Sequence, residues 1–362
     1  MGVKFPPSSV HRKTTLILAL NVILGTIIVI SSHHWFSIWI GLEMKTLSIL
    51  PIICYQFSPR KVESTIKYFL VQSFSAAIIL NVALIQAWLY SSWSITCPLK
   101  EFTSVVLTLA ISLKLGLFPC HYWFPDVIQG VGFIQGLILT TWQKIAPLVL
   151  LFYVSGRIKT NYLVIIGSLS ALIGGWGGLN QTQVRKILAF SSIAHIGWIC
   201  TISRYSTKIM IVMTIVYITI NSRMFILSNE YKLNTLSSLN RIIYSRSIGR
   251  MCLGLVILSL GGLPPLTGFL KKFLGLKCLI CNSRFIARIV LIFRRLLRLF
   301  FYLRIAFNRS LTLFPQHSLT VFTWRKGAFL NRKTTYHGII LGTVVRLRIF
   351  GLMSFPLLTS II

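Results

Sequence analysis

The sequence predicts an all-α polytopic membrane protein, and three observations carry that prediction. First, 55% of the 362 residues are hydrophobic and the mean hydropathy is +0.77. So few polar side chains cannot cover the surface of a soluble domain. Second, apolar runs of spanning length recur from end to end. Third, nothing alternates with the period of a barrel strand, and lipid demands that each backbone group be satisfied internally, which leaves helices. The same apolar content excludes disorder. The chain also carries 37 Lys+Arg against 5 Asp+Glu, a formal net charge of +32. That charge would suit a nucleic-acid partner. Such proteins are polar with basic patches, however, so a lipid bilayer is the expected partner and nucleic acid is not.

The elements follow in order. A spanning helix needs about 20 residues, which gives about ten or eleven helices in a single membrane domain over residues 1–362. Residues 1–13 form a short basic segment with Lys4, Arg12 and Lys13 and no acid. The apolar run behind it is long enough to span and lacks a clear small-x-small cleavage site. Residues 14–31 are therefore read as a first transmembrane helix rather than a signal peptide. Further candidates are 35–55, 65–90, 102–123, 127–153, 162–179, 184–202, 208–227, 248–269, 284–307 and 336–361. The connections are short, so no soluble domain is inserted.

Two stretches should break their helices. Residues 114–126 contain Gly116, Pro119 and Pro125; residues 260–269 contain Gly261, Gly262, Pro264, Pro265 and Gly268. Proline removes a backbone donor and clashes with the preceding turn, and glycine adds slack. Paired interruptions in separate halves of a membrane chain suggest discontinuous helices at a transport site, often within an inverted repeat.

Charges inside apolar runs are the functional candidates. Glu43 lies near the middle of its helix, where a carboxylate costs several kcal/mol unless paired, protonated or hydrated. Lys114 lies midway along 102–123, and Lys144 between apolar flanks in 140–147. A desolvated ammonium can release its proton, whereas a guanidinium cannot. A Glu–Lys pair that opens and closes is then a proton switch; a static buried ion pair is the alternative. His195, among small and hydroxylic residues, is either a proton carrier or a hydrogen-bonded packing residue. His121 is similar but lies beside the first break.

The rest of the motif search excludes chemistry. Cys278 and Cys281 form a lone CxxC without a second pair, which reads as two buried thiols. There is no metal cluster, Walker loop, dinucleotide fingerprint or nucleophile elbow. The glycines of 174–178 serve close helix contact.

Five segments together carry a resemblance. They are Trp39-Ile-Gly-Leu-Glu-Met44, Lys114-Leu-Gly-Leu-Phe-Pro-Cys-His-Tyr-Trp-Phe-Pro-Asp126, Trp142-Gln-Lys-Ile-Ala-Pro147, the run from Gly178 to Trp198, and Gly261-Gly-Leu-Pro-Pro-Leu-Thr-Gly-Phe269. They closely resemble the antiporter-like subunit 2 family of mitochondrial NADH dehydrogenase, the proton-pumping complex I. The resemblance covers most of 14–313. It implies an antiporter-like inverted-repeat bundle and a proton-translocating role among other membrane-arm subunits, in the mitochondrial inner membrane. It implies no redox chemistry in this chain, with NADH, FMN, iron-sulfur clusters and ubiquinone bound by other subunits. By matching motifs, Glu43 would be the channel glutamate, Lys114 its partner, Lys144 the central lysine and Lys272 the terminal one. His195 would belong to the linking hydrophilic axis. The family usually has Pro-Lys where this chain has Lys271-Lys272, and spacing favours Lys272. A free-standing cation/proton antiporter and a non-conducting scaffold subunit are the alternatives.

The carboxyl-terminal third departs from the resemblance. Residues 284–307 carry Arg284, Arg288, Arg294, Arg295, Arg298 and Arg304. Each central arginine costs roughly 3 kcal/mol on insertion, about 12 for the four from Arg288 to Arg298, and the apolar residues return only about 7. As written, this helix should lie on an anionic surface rather than span. Sixteen of the twenty arginines follow position 200. Some invertebrate mitochondrial codes read AGA and AGG as Ser and AAA as Asn. The expectation is that many of these arginines stand for serines, and Lys45 and Lys271 for asparagines.

Overall fold

The computed structural model describes residues 9–55, 57–157, 162–236, 247–263, 266–282 and 285–311. The chain divides into two compact units, Met1–Ser170 and Ala171–Ile362. The described residues contain helices and no strand beyond one isolated bridge in each unit, His34 with Ser94 and Gln183 with Thr235. Among the described residues, six helical stretches are long and apolar enough to cross a membrane, with Phe133–Ser155 taken as one.

The first unit holds α1 (Ser9–Ser31), α2 (Trp35–Ile53), α3 (Pro59–Tyr90), α4 (Glu101–Leu115), α5 (Trp123–Gly130), α6 (Phe133–Thr140) and α7 (Trp142–Ser155). Helices α1 and α2 meet at two glycines. A Cβ on Gly41 would stand 2.8 Å from Val29 Cγ2 and 2.9 Å from the Gly25 carbonyl oxygen. Without a hydrophobic force between helices in lipid, such close backbone approach is the main source of association. The start of α2 is tied down by Trp35 N–H donating to the Trp93 carbonyl at 3.0 Å.

Helix α8 (Tyr162–Gly177) runs from one unit into the other. Its glycine-rich end serves the close contact expected of it: a Cβ on Gly174 would stand 2.8 Å from the Phe190 carbonyl oxygen and the Ala194 nitrogen. The second unit continues with α9 (Val184–Ser203), α10 (Thr207–Glu230), α11 (Ser247–Gly261), α12 (Thr267–Cys281) and α13 (Phe285–Leu311). Almost every residue of α9 is buried, so α9 is the core around which α10 and α12 pack.

Both expected breaks are present. The helix expected over 102–123 stops at Leu115. Gly116 takes φ +71°, Leu117 N–H reaches back to the Ser112 carbonyl at 2.8 Å, and Gly116 N–H reaches the Leu113 carbonyl at 3.2 Å. That is a left-handed glycine stop. Gly262, at φ +75°, ends α11 in the same way.

Two expectations differ from the structure. The single helix expected over 127–153 is three helices: at Gly132 a side chain takes over a backbone bond, and at Thr141 the backbone departs from helical geometry, at φ −109° and ψ −71°. Gln135 Oε1 accepts from Gly132 N–H at 3.0 Å, while Gln135 Nε2 donates to the Ile52 and Ile53 carbonyls at 2.9 and 3.2 Å. Thr141 Oγ1 donates to the Leu137 carbonyl at 2.7 Å. The helix expected over 248–269 ends at Gly261, and a separate α12 follows that hydropathy alone did not pick out, since Lys271, Lys272 and Lys277 dilute it. Residues 285–307 fall within one continuous helix, α13, packed on α11 and α12, which among the described residues is not one of those apolar enough to cross. The candidate over 336–361 lies outside the described residues.

Candidate functional site

The first break places a lysine at its rim. Lys114 occupies the last turn of α4, one residue before the end of the helix, and is 4% exposed. Its Nζ donates to the Gln72 backbone carbonyl on α3 at 3.3 Å, and the Gln72 side-chain nitrogen donates to the Lys114 carbonyl at 3.3 Å. Gln72 thus satisfies a carbonyl at the helix end, one of the groups a terminus leaves without an intrahelical donor. Gln72 was not singled out from sequence, because an amide in an apolar run carries no charge signal.

Glu43 is half-buried in the middle of α2. Its carboxylate accepts from Thr46 Oγ1 at 3.1 Å. Among the described residues, the one ion pair within 4 Å is Lys67–Glu63 on α3, so Glu43 and Lys114 are not in salt-bridge contact.

Lys144 stands in the first turn of α7, 3% exposed, with Nζ 3.7 Å from the centre of the Phe124 ring. A desolvated cation over a ring face gains about 2 kcal/mol. Phe124 belongs to α5, immediately beyond the first break, so the break carries both Lys114 and the ring that receives Lys144. The two lysines line one cavity with Gln72, Trp123, Phe124 and Gln143.

Lys45 is a further buried group, 1% exposed, whose Nζ donates to the Gln143 backbone carbonyl at 2.8 Å. Pro147 explains the need. Four residues on, it lacks the N–H that would bond the Gln143 carbonyl within α7. A buried donor has to replace it, and residue 45 supplies one. Proline at i with a buried polar residue elsewhere is the signal that finds this contact.

In the second unit the structure brings His195 on α9 to Lys271 on α12, with His195 Nε2 and Lys271 Nζ 3.5 Å apart, and sets the His195 ring 5.9 Å from the Tyr217 ring on α10. Lys272 instead turns to the second break, where its Nζ donates to the Gly261 carbonyl at the end of α11. Gly262 has no room for a side chain because Lys272 lies against it. His195, Lys271 and Lys272 are all buried and line one cavity with Trp198, Met213 and Tyr217. His121 is buried within the first break, its Nδ1 3.1 Å from the Pro119 carbonyl oxygen.

Interrupted helices, each with a buried lysine bonded beside the interruption, define an antiporter-like membrane protein. The comparisons give the same class. Residues 32–297 match the family described as "NADH:quinone oxidoreductase/Mrp antiporter, TM", and residues 299–359 match "NADH dehydrogenase subunit 2 C-terminus". The chain belongs to the NADH-ubiquinone oxidoreductase chain 2 family. It is 59% identical over 352 residues to the protein of that name from Patiria pectinifera, covering 97% of this chain and 99% of the relative. It is 54% identical to that from Strongylocentrotus purpuratus, covering 87% and 89%. The fold is shared with a chain of respiratory complex I from Thermus thermophilus, at TM-score 0.76 and 23% identity over 82% of this chain and 70% of that one. It is also shared with a chain of the Mrp complex from Dietzia, at TM-score 0.74 and 16% identity over 80% and 59%.

Proposed function

We propose that the chain is a membrane-arm subunit of NADH-ubiquinone oxidoreductase that takes part in moving protons as electrons pass from NADH to ubiquinone. It works in the mitochondrial inner membrane, against lipid and the other membrane-arm subunits. It carries no redox cofactor; NADH, FMN, iron-sulfur clusters and ubiquinone belong to other subunits. Glu43, Lys114 and Lys144 serve proton transfer in the first unit, His195 and Lys272 in the second.

One observation carries the reading: Lys114 and Lys144, both buried, line a single cavity beside a broken helix. Buried ionisable groups in a membrane segment mark ion pathways, because they cost too much to keep otherwise. A change in the field of Glu43 acts on Lys114 across a gap rather than through a locked ion pair, so Lys114 can respond without breaking a salt bridge. Replacing Lys144 by Met in the assembled complex should lower the protons moved per NADH oxidised. Unchanged pumping with the variant assembled would sink its assigned role.

A further inference from the structure

We propose that the Gln143 side-chain amide, with the Trp123 indole, seats a single water in the cavity between Lys114 and Lys144, making Gln143 a positioning residue for proton transfer between the two lysines. The proposal rests on the function proposed above. Its starting point is an anomaly: Gln143 is 7% exposed, yet both atoms of its amide group lack any hydrogen-bond partner. The Trp123 Nε1–H is also buried and unpartnered. Buried polar groups are as a rule satisfied, by protein or by ordered water. Three unpaired polar atoms on two residues that line the same cavity mark the seat of a water.

The size of the cavity decides how many waters. Its room for water amounts to about 10 Å³, which is space for about one molecule rather than a chain of them. The chemistry fits one water. At rest the Gln143 Nε2–H and the Trp123 N–H donate to the two lone pairs of its oxygen, and Gln143 Oε1 accepts one of its protons; the Gln143 Nε2–H bond gives way when the Lys114 proton takes that lone pair. The transfer balances: the Lys114 ammonium gives a proton to the water oxygen, the water gives one of its own protons to the neutral Lys144 amine, and the water is restored. An amide can hold this water without trapping the proton, since it does not titrate near neutral pH. The backbone is anchored for the task, because the Gln143 carbonyl is held by Lys45 and the neighbouring Lys144 by the Phe124 ring.

The test uses the intact complex reconstituted in liposomes. Gln143→Leu keeps the bulk and removes the amide. Coupled turnover should fall roughly tenfold or more, as expected for a misplaced relay group. The H2O/D2O rate ratio should rise, which a packing defect alone would not do. Gln143→Asn, which restores an amide, should recover part of the rate. A high-resolution density map of the unaltered complex should show one ordered water bonded to the Gln143 amide, and this measurement stands even if the leucine variant fails to assemble. An unchanged isotope ratio in assembled Gln143→Leu, or a cavity without that water, overturns the inference. If Lys144→Met also leaves pumping intact, it is the proposed function that fails. If Lys144→Met stops pumping while Gln143→Leu does not, only the present inference fails.

Discussion

Gln72 and Lys114 hold each other through crossed hydrogen bonds, each side chain donating to the other's backbone carbonyl at 3.3 Å. The pair closes the end of α4 and fixes the height of the Lys114 ammonium. Replacing Gln72 by Leu leaves the Lys114 carbonyl without its side-chain donor, at a cost of about 1–3 kcal/mol. The expected outcome is an assembled complex with lower proton yield per NADH. Native gels check assembly and a pH-sensitive dye in liposomes checks the yield; full yield in an assembled complex would contradict the role.

At the second break, Gly262→Ala should be far worse than Gly156→Ala. Gly262 has φ +75° and Lys272 packed where a Cβ would go, whereas a Cβ on Gly156 meets nothing within 4 Å. The left-handed conformation alone costs a non-glycine residue about 1–2 kcal/mol. The alanine also pushes Lys272 from the Gly261 carbonyl. Comparing pumping and thermal stability of the two variants checks this, and equal behaviour would refute it.

Gly41→Val should prevent the first unit from assembling. Its Cβ would lie 2.8 Å from Val29 Cγ2 and 2.9 Å from the Gly25 oxygen, one contact with a side chain that can turn and one with backbone that cannot. Overpacking of this kind costs about 1–3 kcal/mol. Reduced amounts of the subunit in membranes would register it.

Residue 45 is expected to be encoded by AAA and to be asparagine in the mature protein. Lys45, Lys114 and Lys144 would otherwise place three ammoniums on one cavity. An amide at 45 supplies the donor that the Gln143 carbonyl needs and carries no charge. Mass spectrometry of the peptide spanning 45 decides it. Cleavage by trypsin after this position would be fatal to the idea.

Cys97 lies in the segment between α3 and α4, outside the helices. The Ser92 and Ser94 hydroxyls, 3.0 and 3.3 Å from its sulfur, hold its thiol below the usual cysteine range. More of it is therefore thiolate at neutral pH, and the thiolate is the reactive form. Maleimide labelling at pH 7 should slow when both serines become alanine, and the difference should vanish as pH rises above the unperturbed thiol value.

The class of fold was legible because hydropathy reports burial in lipid directly. The two breaks were legible because glycine and proline act on the backbone locally. The divisions at Gly132 and Thr141 were not, since the first depends on Gln135 reaching α2 and the second on a backbone distortion at a residue that is neither glycine nor proline. Lys114 and Lys144 stood out as charges in apolar surroundings, whereas Gln72 and Gln143 are neutral and signal nothing until their partners, or lack of them, are seen. The meeting of His195 with Lys271 joins positions 76 apart in sequence, which spacing cannot reveal.

Lys114 and Lys272 both donate to backbone carbonyls, those of Gln72 and Gly261. A lysine discharged beside a carboxylate strands an anion in low dielectric, and that anion then pulls the proton back. A carbonyl is a fixed dipole with nothing to strand. The carbonyl that receives each ammonium therefore keeps the same charge while the lysine empties and refills, and it is in place again when the proton returns.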